Sequence, residues 1–267
     1  MNDINPKPSP KQMPVLFVGH GNPMYAIEKN DYSDTWRSLG ETLPKPRAIL
    51  CISAHWETHG IKVTAMPQPK TIHDFGGFPQ ALFDVHYPAK GSPELASEII
   101  QHIKSHPIEP DMHWGLDHGC WSVLRCLYPQ ADVPIVQLSL DRTLSPDDHY
   151  ALAKDLLFLR TQGVMIVGSG NMVHNLRLVE WENKGGAPWA ITANDILKAL
   201  IVDDNHPALI DYTNLGKDVQ LAINSAEHYL PMLYILALKQ AKETISFFND
   251  SLEMGSLSMT SFFIDEK

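Results

Sequence analysis

The chain has 267 residues, enough for one large domain that buries its own core without covalent staples. Its 31 acidic residues outnumber 21 basic ones for a net charge of −10, and the basic residues form no stripe, which argues against a nucleic-acid partner. Three cysteines, none in a C-x-x-C pair, exclude a disulfide framework and a cysteine-based zinc site and point to reduced thiols.

The N-terminal stretch MNDINPKPSPKQ lacks an apolar h-region, and no apolar run reaches membrane-spanning length. No membrane association and a cytoplasmic location are therefore expected. Residues 1–13 read as a flexible tail and 14–267 as a single folded domain.

In chain order, 14–18 is a short apolar run with β-branched residues, a buried strand. It ends in the turn-rich Gly19-His20-Gly21-Asn22-Pro23. Ser33 or Asp34 is expected to cap a helix running to about Leu43. Residues 47–53 form a second buried strand ending at Ala54-His55-Trp56, and 61–65 a third. Residues 67–93, rich in Pro, Gly and aromatics, read as a long functional loop. Ser92-Pro93 opens a helix to about Ser105, and Asp117-His118-Gly119 precedes a helical stretch to Leu127. Residues 134–140 form a strand. Ser145-Pro146 opens a further helix, with Ser145 as cap and Pro146 at its first position. A strand at 163–167 ends in Gly168-Ser169-Gly170-Asn171, with His174 soon after. Residues 188–202 and 207–224 read as helical, Glu227-His228-Tyr229 opens an apolar helix to about Lys239, and 258–264 is a final strand. Strands alternating with helices imply an α/β fold with a largely parallel sheet covered on both faces.

Thirteen histidines are the unusual feature. Three of them, His20, His55 and His174, follow apolar strands, where open α/β folds place their ligand crevice. His228, at a helix start, is placed to join them. Imidazole is the commonest neutral metal ligand, so the pattern points to a metal site. Glycines on both sides of His20 allow close backbone approach to a bound group. His59, His102, His106, His149 and His206 are assigned to packing or to the surface. No H-E-x-x-H, nucleophile elbow, phosphate loop or complete dinucleotide fingerprint is present; after Gly168-Ser169-Gly170 the third glycine position is Val173.

Six spaced motifs occur in order: GHGNPM at 19–24, SAHWE at 53–57, HDFGGFP at 73–79, DHGCW at 117–121, GSGNMVHNL at 168–176 and EHYLP at 227–231. Together they closely resemble the bacterial 4,5-DOPA extradiol dioxygenases. These belong to the class III extradiol superfamily, related to the catalytic subunit of protocatechuate 4,5-dioxygenase. The resemblance spans about residues 14–264. It implies a single three-layer α/β/α catalytic domain with a mixed, largely parallel central sheet, holding one divalent metal ion. It assigns the metal ligands to His20, His55 and His228, the acid–base role to His174, and a place lining the substrate pocket to His118. His174 is also a candidate fourth ligand before substrate binds. Where typical superfamily members use two His and a carboxylate, this chain offers His228, with Glu227 just before it.

Three neutral imidazoles suit zinc and iron alike. Members of this branch are found with zinc, whereas turnover with dioxygen calls for Fe(II). The expected partners are a small aromatic diol and dioxygen; the pattern sets no oligomeric state. Phe75, Phe78, Phe83 and Tyr87 are candidates to shape a pocket for a flat ring, Phe75 and Phe78 as substrate contacts. Two alternatives accompany the ring-opening reading: a zinc hydrolase using metal-bound hydroxide, and a non-catalytic binding protein on the same fold. The complete histidine set argues against the second.

Overall fold

The computed structural model describes residues 12–266. Residues 1–11 of the expected tail lie outside the described residues. Met13 belongs to the body: its N–H donates to the Arg160 carbonyl (3.0 Å), and Arg160 Nε donates to the Met13 carbonyl (2.7 Å).

The strands are β1 (Val15–Gly19), β2 (Ala48–Thr58), β3 (Ile61–Thr64), β4 (Ile108–Asp111), β5 (Ile135–Asp141), β6 (Val164–Gly170), β7 (Glu243–Phe248), β8 (Leu252–Glu253), β9 (Leu257–Ser258) and β10 (Ser261–Glu266). Eight of them form one sheet in the order β4-β3-β5-β2-β6-β1-β10-β7, and β8 pairs with β9. The middle of the sheet, β5-β2-β6-β1, is parallel. β10 and β7 add antiparallel at one end, and β3 meets β5 antiparallel at the other. The sheet is thus mixed, as expected.

Alternation along the central strands makes the three layers. Val15 and Phe17, Leu50 and Ile52, and Val164 and Ile166 face one core. Leu16 and Val18, Ile49 and Cys51, and Met165 and Val167 face the other. The first core is covered by α3 (Pro93–His102), α5 (Pro146–Asp155), α7 (Pro188–Val202), α9 (Lys217–Ala222) and α10 (Leu230–Ala237), with short α6 (Phe158–Thr161) and α8 (His206–Ile210). The second is covered by α1 (Asp31–Thr42), α4 (His118–Leu127) and the single turn α2 (Gln80–Phe83). None of these helices is long and apolar enough to cross a membrane.

Several expected boundaries move. Helix α1 is capped by Asn30, whose side chain accepts from the Ser33 N–H, leaving Ser33 and Asp34 in the first turn. The helix expected at 207–224 is broken, because Gly216 sits at φ 100°, outside helical space. Strand β4 carries Pro110 between charged neighbours and shows no apolar alternation, so only its edge position explains it. β7 also lies at a sheet edge and gave no sequence signal.

The largest change concerns β2, which runs on to Thr58 and so contains His55. Its pairing with β5 shifts register: Ile52 faces Leu138 and Glu57 faces Leu140, so residues 53–56 bulge opposite Ser139 alone. A bulge re-aims side chains at a strand end, and this one carries His55.

Candidate metal centre

Three neighbouring parallel strands deliver the site. β1 ends at Gly19, and the His20 N–H then donates to the Gly170 carbonyl at the end of β6 (3.1 Å). His55 projects from the β2 bulge. His174 follows β6, its N–H bound to the Ala222 carbonyl (3.0 Å). His228 lies in the turn before α10, where its carbonyl accepts from the Asn171 N–H (2.9 Å). Gly170 permits that approach, since a Cβ there would stand 2.1 Å from the His228 carbonyl oxygen. The sequence brings together all of its candidates except the outer aromatics. His20, His55, His118, His174 and His228, with Phe75 and Phe78, line one cavity of about 410 Å³. Phe83 stands behind Phe75, ring centroids 5.1 Å apart. Tyr87 is a correction: its ring is buried, and its hydroxyl donates to the carbonyls of Leu124 and Tyr128, so it packs the core instead of shaping the pocket.

The hydrogen bonds fix which ring nitrogens face each other. The Ser169 hydroxyl donates its one hydrogen to the Gly119 carbonyl (2.6 Å) and so accepts from His20 Nδ1 (3.0 Å). His20 therefore carries its proton on Nδ1 and presents a bare Nε2. Glu227 Oε1, an acceptor only, accepts a hydrogen bond from His228 Nδ1–H at 3.0 Å and leaves that Nε2 bare as well. His55 Nδ1 lies 3.5 Å from Asp74 Oδ2, which favours the same tautomer. His55 Nε2 then stands 3.1 Å from His20 Nε2. With both rings in that tautomer, the two lone pairs face each other at a spacing that suits a shared cation.

The donor set fits a metal. The ligand atoms of His20, His55 and His228 all lie within 4.8 Å of one another, and Ser169 behind His20, Asp74 near His55 and Glu227 behind His228 supply the outer partners that metal-site imidazoles use. His174 groups with His228 and Glu227, and its ring stacks on that of His228 with centroids 3.5 Å apart. Burial, and next the neighbouring imidazoles, hold His20 and His55 well below the usual histidine pKa, so both rings are neutral, the form that can ligate a metal. Burial, with His228 adding, lowers His174 to about 3 although Glu227 opposes it.

Four polar residues were not singled out from the sequence. Asp74, in the aromatic loop, accepts from the His118 N–H (2.9 Å), and its Oδ2 lies 3.0 Å from His118 Nδ1. Burial raises its pKa, but the His118 contacts outweigh this and the net shift is downward. Asp117 is fully buried and caps α4 through the Cys120 N–H. It also accepts from Ser53 Oγ (2.7 Å) and Gln137 Nε2 (2.7 Å). Burial and then the Asp74 charge push its pKa up against those bonds. Ser169 and Gln137 complete the set; a carboxylate in a Gly- and aromatic-rich loop was the one available signal, for Asp74.

A family model described as the catalytic LigB subunit of aromatic ring-opening dioxygenase matches residues 14–246. The chain is 47% identical over 259 residues to the 4,5-DOPA dioxygenase extradiol of Escherichia coli strain K12, covering 95% of each chain. It is 34% identical to the 4,5-DOPA dioxygenase extradiol of Beta vulgaris, over 93% of this chain and 95% of that one. A crystal structure of an uncharacterized Escherichia coli K12 protein superposes with a TM-score of 0.83 at 41% identity, covering 94% of this chain and 99% of the other. With these matches spanning nearly the whole folded body, the chain belongs to the LigB family of aromatic ring-opening dioxygenases and is a metal-dependent extradiol ring-cleaving enzyme.

Proposed function

We propose that this enzyme opens a DOPA-like catechol with dioxygen, using one divalent ion held by His20, His55 and His228. The observation that carries the ligand set is the convergence of ligand atoms of His20, His55 and His228 within 4.8 Å of one another, with His20 Nε2, held bare by Ser169, 3.1 Å from His55 Nε2. When bound, the ion supplies a cationic point at which both diol oxygens and dioxygen meet, and Fe(II) adds the redox capacity that zinc lacks.

The chain's own residues do the rest. His174 is neutral at working pH and sits at the edge of the ligand trio, so an imidazole nitrogen is free to accept a phenolic proton and return one later. His174 also groups with Glu227 and His228 as possible metal-ligating side chains, so the His174→Ala variant is what separates the acid–base role from that of a fourth ligand. Asp74 accepts from the His118 N–H and lies 3.0 Å from its Nδ1, which places the His118 ring at the cavity to bond an oxygen of the substrates. Phe75 and Phe78, edge to face at 5.3 Å, offer an apolar wall to the flat ring and keep water from it.

The test is oxygen uptake by protein loaded anaerobically with Fe(II) and then given DOPA in aerated buffer. One dioxygen consumed per ring opened is expected. Zinc-loaded protein should bind the catechol without turnover. Fe(II)-loaded protein that consumes no oxygen with any catechol would overturn the proposal.

A further inference from the structure

We infer that Asp74, His118 and His55 form a second, weaker divalent-cation site beside the first, and that zinc bound there inhibits the enzyme; this rests on the first ion being held by His20, His55 and His228 as read above. One ligand atom from each of the three residues lies within 4.8 Å of the other two. Asp74 is the fixed point. Its Oδ1 is committed to the His118 backbone N–H (2.9 Å), while its Oδ2 stands 3.0 Å from His118 Nδ1 and 3.5 Å from His55 Nδ1. Two donors, each about 2.0–2.2 Å from one zinc ion, are roughly 2.8–3.6 Å apart for angles between a right angle and the tetrahedral one. Both spacings to Oδ2 fall in that range.

The second observation is His118 Nδ1 itself. His118 is only 7% exposed, yet this nitrogen has no hydrogen-bond partner among the described residues. Asp74 Oδ2 is near enough for a hydrogen bond but stands off the line that an N–H would take. A buried polar nitrogen left so is costly, and a cation held between it and the carboxylate satisfies both. Two imidazoles and a carboxylate suit zinc, which the affinity order places above Fe(II). His55 sets the order of filling. Its Nε2 serves the first ion, so its Nδ1 joins the second only by releasing a proton to solvent, and that competition makes the second site the weaker one. The side chains of Asp74 and His55 are each 19% exposed, which leaves the ion a way in. Asp74 and His118 line the same cavity as the first ion, so zinc there takes both from a bound catechol and fills part of its room.

The experiment dialyses metal-free wild-type and Asp74→Asn proteins to equilibrium against a series of free zinc concentrations and counts the zinc bound. Asparagine keeps an acceptor for the His118 N–H and puts a poor ligand in place of the carboxylate. Wild type should bind two ions per chain, the second about tenfold or more weaker than the first. Asp74→Asn should bind one, which also shows that its first site is folded. In parallel, zinc is added to both Fe(II)-loaded proteins during oxygen uptake with DOPA, and iron content is measured at the end. Wild-type turnover should fall along the second binding step with iron retained, and whatever turnover Asp74→Asn has should be about tenfold or more less sensitive. A single ion in wild type, a second ion that Asp74→Asn binds as tightly, or inhibition only as iron is lost would overturn the inference. So would an Asp74→Asn protein that binds no zinc, because Asp74 would then belong to the first site. If iron-loaded wild type opens no ring, the ring-cleavage reading fails; wherever a protein is inactive, the zinc counts alone decide the inference.

Discussion

Ser169 decides which nitrogen of His20 faces the cavity. Its hydroxyl hydrogen is committed to the Gly119 carbonyl, so it accepts only, and His20 is held with Nε2 bare. Ser169→Ala removes this control without touching a ligand atom. Metal affinity should fall by about 10- to 100-fold, the usual cost of losing a partner that orients a ligating histidine. Competition with a chelator of known strength measures it, and unchanged affinity would show that packing alone sets the ring. Ser169 had no mark in the sequence, where it read as part of a failed dinucleotide fingerprint. Hydroxyls that orient ligands are invisible until the strands are paired, because Ser169 meets His20 only through the β1–β6 register. His20 itself was legible from its glycine-flanked place after an apolar strand.

The elements carry their own constraints. Asp117 is at once the cap of α4 and the acceptor for Ser53 in the β2 bulge, so it ties the element that begins at His118 to the one that carries His55. Asp117→Ala would strand the Gln137 amide and the Ser53 hydroxyl in a dry interior, while the Cys120 N–H would keep only the backbone carbonyl of residue 117. About 3 kcal/mol or more of stability should be lost, read from the urea midpoint, and a loss within about 0.5 kcal/mol would contradict the network.

A second element-scale device is His149, on α5. Its Nε2 faces the Asp141 carbonyl (3.1 Å) and so donates, and its Nδ1 lies 2.8 Å from the Tyr234 hydroxyl of α10, from which the neutral ring accepts. Burial, opposed by the Asp141 contacts, lowers its pKa to about 4. The unfolded chain therefore takes up a proton between about 6.5 and 4 that the folded chain refuses. The contribution is complete above 6.5 and lost as pH falls through that window, roughly 3 kcal/mol at most. The His149 ring signal in an NMR titration should stay neutral at pH 5; titration near 6.5 would refute the buried, neutral form. The sequence assigned His149 to packing or to the surface; its burial and this pairing, which joins residues 85 positions apart, came from the structure.

Across the whole molecule, the adjacent order β2-β6-β1 explains why histidines so distant in sequence converge. Apolar runs followed by Gly-His or Ala-His made the strand ends readable, since both the buried strand and the ligand crevice beyond it leave local marks. The β2 bulge, the edge strands β4 and β7, and the carboxylate Asp117 left none, because each depends on a partner from elsewhere in the fold. The central claim is that His20, His55 and His228 hold the ion while His174 moves protons beside it. The most direct test is iron content and oxygen uptake with DOPA for His20→Ala and His174→Ala, both loaded anaerobically with Fe(II). His20→Ala should come out without metal and without activity. His174→Ala should keep its iron and lose ring opening by about 10²–10⁴-fold, the usual worth of a positioned acid–base group. A His174→Ala protein that comes out empty, or a His20→Ala protein that retains iron, would contradict the account.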